Sequence, residues 1–416
     1  MKLSEELIWR GFVNQTTYKD HSAIDGDPIT FYFGVDPSAD SMQIGNLASA
    51  MMVRQFINHG HKAILLVGGA TGMIGDPDGK KQERDLQSLE TITHNKQSIT
   101  AQYHTIFEGQ SFDVVDNYDW FKDMGYLTFL REVGKHVPMR TMLGRDFVSS
   151  RLGEDGNGIS YAEFSYSLLQ GYDFLHLHRE FGATLQLCGA DQWGNSIAGV
   201  DLIRRVTGDE AHVWSIPLII NKATGVKFGK SEDGAIWLDP KKTTPTKFYQ
   251  FWINCDDAGV EDYLKVYSSI NKEELDGVMS AHRADPKLRI AQTKLAKEVT
   301  TLVHGTENAQ LAADVTAFLT GASLLGEATD VQLTALKSEI AYQQVDAGTL
   351  ITDVLVQTSL ASSISEARRL VLGNAISING SKVQDTTLND AGFTEGRLLM
   401  RRGKAFKDSA LVELLI

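Results

Sequence analysis

The sequence has few cysteines, no long apolar segment and no excess of basic charge. Cys188 and Cys255 are the only cysteines among 416 residues, too few for a disulfide framework or a four-cysteine zinc site. No run of about 18 apolar residues is present. The start, MKLSEELIWRG, has acidic residues where a secretory signal peptide has a basic end followed by an apolar stretch. We therefore expect a cytoplasmic protein.

Histidine is the remaining residue type that could bind a metal. The pairs His59/His61 and His176/His178 are closely spaced, but neither has an acidic residue or a cysteine at ligand spacing. We expect no protein-bound metal.

The net charge of −13 argues against a protein that coats nucleic acid nonspecifically. From Asp346 to the end, eight basic residues balance eight acidic residues, so the first 345 residues carry the whole −13. Five of the eight basic residues fall within eleven positions, namely Arg397, Arg401, Arg402, Lys404 and Lys407. A local basic face in this tail is therefore compatible with the acidic total.

Up to about residue 221, short apolar runs alternate with helical patterns. The runs cover residues 30–33, 63–67, 184–187 and 216–220. This alternation is typical of an α/β protein with a doubly wound parallel sheet and crossover helices. Ligands of such sheets bind beyond the carboxyl ends of the strands. The polar clusters lie at those ends, in GVDPSAD, GGATGMIGDPDGKK and CGADQWGN.

From residue 240 to about 321, apolar residues recur with the helical period, as in FYQFWINC, VEDYLKVY and TKLAKEVTTLVH. This pattern predicts a helical domain. Residues 322–346 mix weak helical pattern with small residues, and we expect a connector there.

Residues 34–50, GVDPSADSMQIGNLASA, follow an apolar strand and enter a helix at Gln43–Asn46. A helix start presents free backbone N–H groups and a partial positive charge, which suits a phosphate. Gly45 in the first turn leaves room for a ribose or a flat ring against the backbone. The alternative is an ordinary capped helix start with Asp40 and Ser41 as cap candidates.

Residues 225–231, GVKFGKS, resemble a phosphate-binding P-loop, but three residues separate the glycines where that motif has four. What remains is a glycine-containing loop with two lysines three apart and a hydroxyl, able to close over a polyphosphate. A solvated basic turn explains the same residues equally well.

The helical stretch from about Tyr161 to Glu180 carries a polar stripe. Tyr166, Gln170 and Asp173 are spaced four and three apart, so they share one face of a largely apolar helix. Such a stripe destabilises the protein if it is buried without partners, so it faces either solvent or a polar ligand. Tyr166 and Asp173 could hold an ammonium group or accept a hydrogen bond from a phenol.

Together these segments resemble the class I aminoacyl-tRNA synthetases, and within them the bacterial tyrosyl-tRNA synthetases. Gln43–Asn46 lies where the family has its His-Ile-Gly-His element, and Lys227–Ser231 matches its Lys-Met-Ser-Lys-Ser loop. The tail, with SISEARRLVLGNAISINGSKV, is similar to the S4-type RNA-binding domain of these enzymes. The matching blocks run along nearly the whole chain: FYFGVDPSADSMQIGNL, LLVGGATGMIGDPDGKKQER, DNYDW, AEFSYSLLQGYDFL, LCGADQWGN, VKFGKSEDGAIWLD and FYQFWIN.

The resemblance implies activation of L-tyrosine by ATP, with accompanying Mg²⁺, and transfer of the tyrosyl group to the 3′ end of tRNA(Tyr). It also implies a homodimer, for which YLTFLREVG at 126–134 is the candidate interface. The implied domains are a Rossmann-like catalytic domain with an inserted helical dimerisation segment (1–221), a signature loop with a helical anticodon-side domain (222–321), the connector (322–346) and a small α+β S4-like domain (347–416).

The same resemblance assigns site residues. Tyr32 and Asp173 bracket the phenol hydroxyl of tyrosine, and the rest of the tyrosine pocket consists of Asp76, Asn117, Tyr166, Gln170 and Gln192. The implied ATP-binding residues are Gly34, Asp36, Gly45, Gly189, Asp191 and Lys230. The implied catalytic residues are Gln43, Asn46, Lys80, Arg84, Lys227, Lys230 and Ser231. The implied RNA-binding residues are Arg368, Arg369, Arg401 and Arg402.

Gln43 and Asn46 stand where the family has histidines, so the contribution of Gln43 to the reaction is an open question. Two other functions stay open from the sequence. A non-catalytic RNA-binding relative would keep the tail and lose parts of the nucleotide site. A synthetase for another amino acid, tryptophan being the nearest, would need neither the Tyr32/Asp173 pair nor this tail.

Overall fold

The computed structural model describes residues 1–77, 86–144, 146–153, 158–226, 228–231, 234–383, 387–388, 393–403 and 406–415. The chain forms two compact units. One comprises Met1–Thr243 and Asn254–Val303, and the other comprises Thr244–Ile253 and His304–Ile416. Among the described helices, none has the length and apolar character needed to cross a membrane.

The first unit contains a six-stranded sheet with the strand order β1-β6-β5-β2-β3-β4. All neighbouring strands are parallel except β1, which pairs antiparallel with β6 at one edge. Strands β3 and β5 are almost entirely buried and the middle of β2 is buried, as expected for strands covered on both faces. The bounds are β1 Gln15–Thr16, β2 Thr30–Val35, β3 Lys62–Val67, β4 Phe112–Asp116, β5 Leu185–Gly189 and β6 His212–Ile216.

Strand β2 is the point where the winding of the sheet reverses. The chain runs outward from β2 to β3 and β4, and then returns to add β5 and β6 on the other side of β2. This confirms the predicted doubly wound fold and opens a crevice beyond the carboxyl ends of β2 and β5. The helices of this region are α1 Leu3–Arg10, α2 Ile44–Asn58, α3 Thr71–Ile74, α4 Leu89–Ile106, α5 Tyr118–Phe121, α6 Tyr126–Glu132, α7 Met139–Leu143, α8 Asp146–Leu152, α9 Tyr161–Phe181 and α10 Trp193–Val206.

One predicted strand is misplaced. The apolar run at 216–220 predicted a strand, but the strand is His212–Ile216 and the chain then leaves the sheet. Pro217 has no N–H to donate to a ladder, and the side chains of Leu218 and Ile220 are about half exposed. The run is therefore apolar because residues 216–219 line a cavity.

Short strands and helices follow the sheet, and the predicted helical character of residues 240–321 is confirmed. Arg10 of α1 is buried and donates to the backbone oxygens of Lys265, Ser268 and Ile270, at and just beyond the end of α12. It thereby supplies partners for carbonyl groups that a helix end leaves unpaired. The bounds are β7 Lys230–Ser231, β8 Gly234–Ala235, α11 Pro245–Ile253 (second unit), α12 Val260–Tyr267, α13 Lys272–Ala284 and α14 Ile290–His304.

The second unit combines a helical part with a small α+β part, and α11 packs on α15. Its five-stranded sheet has the order β11-β10-β12-β13-β9. Its elements are α15 Thr306–Thr320, α16 Asp330–Glu339, β9 Ala341–Val345, α17 Ile351–Gln357, α18 Ile364–Leu372, β10 Ile376–Ile378, β11 Ser381–Lys382, β12 Arg397–Arg402 and β13 Ser409–Leu414.

The expectation that residues 322–346 form a connector was wrong, because parts of this segment belong to the folded core of the second unit. Strand β9 pairs parallel with β13 along its whole length, so these residues form part of the α+β sheet. Leu333 and Leu336 of α16 pack in one core with Leu399 and Leu411. An edge strand with only Val345 buried gives a weak apolar pattern, and this explains why the sequence did not predict it.

Candidate active site

The crevice at the switch point holds a cavity of about 520 Å³. Its walls come from the ends of β2 and β5, the start of α2, the polar stripe of α9 and residues 216–219. Three residues of the polar stripe, Tyr166, Gln170 and Asp173, thus line a cavity that could hold a polar ligand. The predicted site residues that line it are Tyr32, Gly34, Asp36, Gln43, Gly45, Asn46, Asp76, Tyr166, Gln170, Asp173, Gly189, Asp191 and Gln192.

One end of the cavity carries a buried carboxylate held by two donors. Asn117 Nδ2 donates to Asp173 Oδ2 at 3.1 Å, and Trp120 Nε1 donates to Asp173 Oδ1 at 2.9 Å. Asn117 is fully buried and does not line the cavity, and its side chain reaches the cavity wall through its bond to Asp173. Trp120 and Asn117 fix the carboxylate plane and leave its remaining lone pairs for a donor in the cavity.

Tyr32 faces the same cavity and is 1% exposed. Its hydroxyl has no hydrogen-bond partner among the described residues. Burial, together with the nearby Asp173 and Cys188, raises the pKa of this hydroxyl well above its ordinary value, so it keeps its proton. A buried hydroxyl without a partner costs free energy, on the order of 1–3 kcal/mol, unless a ligand supplies the bond.

Asp173 is also perturbed by its surroundings. Burial raises the pKa of its carboxyl well above the ordinary value, the bonds from Asn117 and Trp120 act against this rise, and Asp36 and Asp116 add to it. A protonated tyrosine hydroxyl and a hydrogen-bonded carboxyl on one cavity therefore complement a ligand that carries a hydroxyl group.

Further into the crevice, two carboxylates hold polar side chains in place. Asp36 accepts from Thr71 Oγ1 at 2.6 Å and from the Tyr166 hydroxyl at 2.7 Å. Gln192 Nε2 donates to Asp76 Oδ2. Burial, followed by Asp36 and Asp76, raises the pKa of Tyr166 well above its ordinary value. This carboxylate-rich end suits a cationic group such as an ammonium.

The start of α2 forms the opposite wall. Gln43 precedes the helix in extended conformation, and its N–H donates to Asn46 Oδ1 at 3.0 Å. The predicted cap candidates were wrong, because Asp40 pairs with Lys242 Nζ at 2.6 Å and Ser41 Oγ donates to its neighbour's carbonyl oxygen. Their oxygens are engaged outside the helix end, whereas Asn46 satisfies the free N–H.

The loop that begins at residue 225 packs on this helix start. Gly229 has a φ of +106°, and a Cβ there would lie 2.9 Å from Cγ1 of Ile44. Ile44 N–H donates to Ile236 O at 3.2 Å, and Ile236 N–H donates to Gly229 O at 3.1 Å. A side chain at position 229 would therefore separate the two segments, and only glycine combines this φ with this approach.

Several predicted residues are not placed by the structure. Lys80, Arg84 and Lys227 lie outside the described residues. For Lys230 and Ser231 the structure describes only the backbone, which pairs with Ala235 and Gly234 in the β7–β8 hairpin. The role of these five residues stays a prediction.

The histidine pairs have ordinary structural contacts. The Ile29 N–H donates to His61 Nδ1 at 3.0 Å, and His176 stacks on Trp120 with ring centroids 4.4 Å apart. His178 Nε2 lies 2.9 Å from an oxygen of Asp209. Across the described residues, no group of three or more metal-ligating side chains is assembled.

Sequence reasoning gave no role to two residues at the buried end of the cavity. Trp120 lay within the matched block DNYDW, yet its bond to Asp173 depends on the packing of α5 against α9. Gln186 lines the cavity, is 3% exposed, and its Oε1 has no partner among the described residues. A polar residue within the buried run Leu185–Cys188 was the signal that could have found it.

The four predicted RNA-binding arginines fall into two groups. Arg368 and Arg369 on α18 are exposed. Arg401 donates to Leu319 O at 3.1 Å and lies over the Phe406 ring, and Arg402 donates to Leu360 O at 2.9 Å. The second pair thus contributes to the packing of its own unit.

Comparison with known proteins identifies relatives of both parts of the chain. A family profile described as tRNA synthetases class I (W and Y) matches residues 25–319, and one described as the tyrosine–tRNA ligase SYY-like C-terminal domain matches residues 332–407. A tyrosine–tRNA ligase of Bacteroides fragilis is 42% identical, with 97% of this chain and 98% of the relative covered. Tyrosine–tRNA ligase 2 of Bacillus cereus is 41% identical over the full length of both.

A solved structure gives the same relationship. A C-terminally truncated mitochondrial tyrosyl-tRNA synthetase of Aspergillus nidulans matches with a TM-score of 0.68 and 27% identity. The match covers 75% of this chain and 92% of that one.

Proposed function

The chain belongs to the class I tRNA synthetases of the W and Y group, and from this we propose that it activates L-tyrosine with ATP and transfers the tyrosyl group to the 3′ end of tRNA(Tyr). The observation that carries the choice of tyrosine is the buried end of the cavity. There the Tyr32 hydroxyl has no hydrogen-bond partner among the described residues, and the Asp173 carboxyl accepts from Asn117 and Trp120. Together these two groups complement a phenol hydroxyl. The names of the full-length relatives support the same substrate.

The tyrosine site follows from the charge distribution of the cavity. We assign the phenol hydroxyl to Tyr32 and Asp173, because these groups offer one donor and one acceptor at the buried end. The ammonium group goes to Asp76, Tyr166 and Gln170, with Gln192 holding Asp76. Asn117 supports the pocket from behind through Asp173.

The ATP site follows from the helix start and the end of β5. Gln43, Gly45 and Asn46 at the start of α2 line the cavity, and the partial positive charge of a helix N-terminus there suits a phosphate. A Cβ at Gly45 would meet no protein atom within 4 Å, so the backbone there is open to a ligand. We assign the nucleoside to Gly34, Asp36, Gly45, Gly189 and Asp191, and the triphosphate to Lys80, Arg84, Lys227, Lys230 and Ser231.

This arrangement can perform the first step without a protein nucleophile. The carboxylate of tyrosine attacks the α-phosphorus of ATP in line, the bond to pyrophosphate breaks, and tyrosyl-adenylate forms. The chain supplies position and electrostatic stabilisation. Mg²⁺ enters with ATP as part of the substrate and neutralises charge on the phosphates. In the second step a ribose hydroxyl of the tRNA attacks the adenylate carbonyl, and AMP leaves.

The two other functions left open by the sequence fit less well. An indole N–H could donate to Asp173, but an indole has no oxygen to accept from the Tyr32 hydroxyl, so a tryptophan enzyme would leave that buried hydroxyl unsatisfied. A non-catalytic RNA-binding relative would have no need of a cavity that retains Asp36, Asp76 and Asp191.

Tyrosine-dependent ATP–pyrophosphate exchange, run beside tryptophan and phenylalanine, tests the proposed function. We expect exchange with tyrosine and exchange lower by at least two orders of magnitude with the other two amino acids. Exchange that favours tryptophan, or no exchange with any of the three, would refute the proposal.

Gln43→Ala is expected to slow adenylate formation by about five- to hundredfold while tyrosine affinity stays within about twofold. The Gln43 side chain is a neutral donor at the cavity wall, and a neutral hydrogen bond contributes about 1 kcal/mol, or roughly 3 if a buried partner is stranded. Pre-steady-state adenylate formation measures the rate, and a thermal melt detects a purely structural effect. An unchanged rate constant with a lowered melting temperature would assign Gln43 to the helix start alone.

We further propose that a second copy of this chain covers the exposed apolar surface of α6 and α7. Tyr126 is 61% exposed and Leu127 is 78% exposed, and Met139 and Leu143 are exposed on the following helix. The Tyr126 hydroxyl lies 3.2 Å from that of Tyr161, which is also exposed, so the start of α9 continues this surface. Apolar side chains grouped in this way are typical of a protein interface.

Leu127→Lys is expected to convert the dimer into a monomer at micromolar concentration, because a dimer would have to bury the introduced ammonium. Sedimentation velocity measures the change. Leu372→Lys is the matched control, since Leu372 is 84% exposed and lies in the second unit. A monomeric parent chain, or a Leu127→Lys chain that remains dimeric, would contradict the assignment.

We also propose a cytoplasmic location and a division of labour along the chain. Residues 1–321 form the adenylate, with 1–221 as the catalytic part and 222–321 as the signature loop and anticodon-side helices. The segment 347–416, together with the strand at 341–345, binds tRNA through exposed basic residues such as Arg368 and Arg369.

A further inference from the structure

Tyr263 on α12 contacts both ends of the segment 219–229. This segment includes the first residues of the signature loop, Lys227–Ser231. Its hydroxyl lies 3.2 Å from the carbonyl oxygen of Ile220 and accepts from the backbone N–H of Lys222 at 3.4 Å. Its ring stacks on Phe228, with centroids 4.2 Å apart and planes 23° apart. One buried side chain therefore holds the entrance of the segment by hydrogen bonds and its exit by stacking.

Other contacts also hold the segment: Lys222 Nζ pairs with Asp262 on α12, and the Phe228 ring lies 6.0 Å from that of Tyr267. Ile219 O accepts from Phe228 N–H at 2.8 Å, and Asn221 N–H donates to Val226 O at 2.8 Å, so the two arms of the segment pair with each other. Beyond Phe228, Gly229 packs on Ile44 at the start of α2. Phe228, which is 6% exposed and lines the cavity, thus connects this paired segment to Tyr263.

Tyr263 is itself fixed from two directions. Asp256 Oδ2 lies 3.1 Å from its hydroxyl, and Asp256 Oδ1 accepts from the Gly259 N–H at 2.6 Å. A Cβ at Gly259 would overlap the Tyr263 hydroxyl and the adjoining ring carbons. Gly259 has an ordinary φ of −100°, so its backbone conformation does not require glycine. Glycine is required because the Tyr263 ring occupies the space that a side chain would fill.

We propose that Tyr263 is a positioning residue for the activation of tyrosine. It holds Phe228, which with Gly229 lies between Lys227 and Lys230 in the sequence, so that Phe228 and Gly229 are in position when charge develops on pyrophosphate. The proposal rests on the proposed function and adds α12 as the support of the signature loop. Tyr263 does not line the cavity and acts through Phe228.

Two substitutions at Tyr263 separate the hydroxyl from the ring. Tyr263→Phe removes the hydroxyl contacts with Ile220, Lys222 and Asp256 and keeps the stack, and we expect about fivefold slower adenylate formation. Tyr263→Leu also removes the stack, and we expect roughly thirtyfold slower formation. Because the loop acts on the transition state, the tyrosine dissociation constant should stay within about twofold for both variants.

Gly259→Ala tests the same contact without changing either partner. Its methyl group must push the Tyr263 ring aside, so this variant should also slow adenylate formation, by a factor between those of the two Tyr263 variants. Leu275→Ala in α13 is the structural control, because Leu275 is a buried apolar residue of the following helix that does not line the cavity. We expect it to lower the melting temperature and keep the rate of adenylate formation within about twofold.

The measurement is pre-steady-state formation of tyrosyl-adenylate by the full chain, with tyrosine affinity and melting temperature measured on the same samples. Rates for Tyr263→Phe and Gly259→Ala equal to that of the parent chain would overturn the inference, as would rate losses that merely follow the melting temperature across all variants, Leu275→Ala included. A parent chain that forms no tyrosyl-adenylate would instead refute the proposed function, so the two failures are distinguishable.

Discussion

Replacing Asp173 with alanine is expected to abolish the preference for tyrosine over phenylalanine. A site built to hydrogen-bond a hydroxyl rejects the analogue without it by on the order of 10⁴ to 10⁵, a magnitude known for synthetases of this family. The rejection arises because phenylalanine leaves buried polar groups unpaired. Here Asn117 and Trp120 hold the carboxyl of Asp173 in place. Without the carboxyl, a phenol hydroxyl gains little over a bare ring.

The comparison of kcat/KM for the two amino acids in pyrophosphate exchange measures this effect. Glu163→Ala is a matched control, because Glu163 is a second buried carboxylate on α9 and is paired with both terminal nitrogens of Arg151. It should cost stability, since a buried Arg151 charge is left unpaired, and should leave the selectivity unchanged. An Asp173→Ala enzyme that still rejects phenylalanine as strongly as the parent would remove Asp173 from this role.

The sheet of the first unit was predictable because its central strands are buried on both faces. Runs such as 30–33 and 63–67 are apolar throughout, and that pattern is specific for a parallel sheet with crossover helices. The runs at 216–220 and 341–345 failed for opposite reasons. The first is apolar because it lines a cavity, and the second is largely polar because it is an edge strand. An apolar run in a sequence indicates that its residues are buried. It does not distinguish residues buried in a cavity wall from residues buried in a strand.

The site was predictable where its residues come in blocks at strand ends. Asp36 and Gly189 follow this rule, Tyr32 in the middle of β2 was assigned by resemblance, and the helical spacing of Tyr166 and Asp173 put them on one face. Residues that act through others left no such trace. Asn117 was assigned to the pocket by resemblance, but its position behind Asp173 required the structure. Tyr263 has the spacing of an ordinary core residue, and its link to the signature loop is a long-range contact that no local pattern encodes.

A chain that ends at Gly321 is expected to keep pyrophosphate exchange within about twofold of the full chain and to lose tRNA charging. The cavity and its walls lie entirely within residues 1–321. The lost affinity should be on the order of 10³ or more, the usual gap between specific and nonspecific binding of nucleic acid. Charging at the full-length rate would contradict the division of labour.

The full-length Arg368→Gln/Arg369→Gln double variant shows whether that loss is electrostatic. Both arginines are exposed, so replacing them should leave the fold and the exchange rate unchanged and should weaken tRNA binding. If each contacts a phosphate, the salt dependence of log K should fall by about one unit per arginine. Arg402→Gln is the contrast, because Arg402 donates to Leu360 O and pairs with Glu366. Its loss should lower the melting temperature of the second unit before it changes the salt slope. An unchanged slope for the double variant would place the tRNA contacts on another face of this unit.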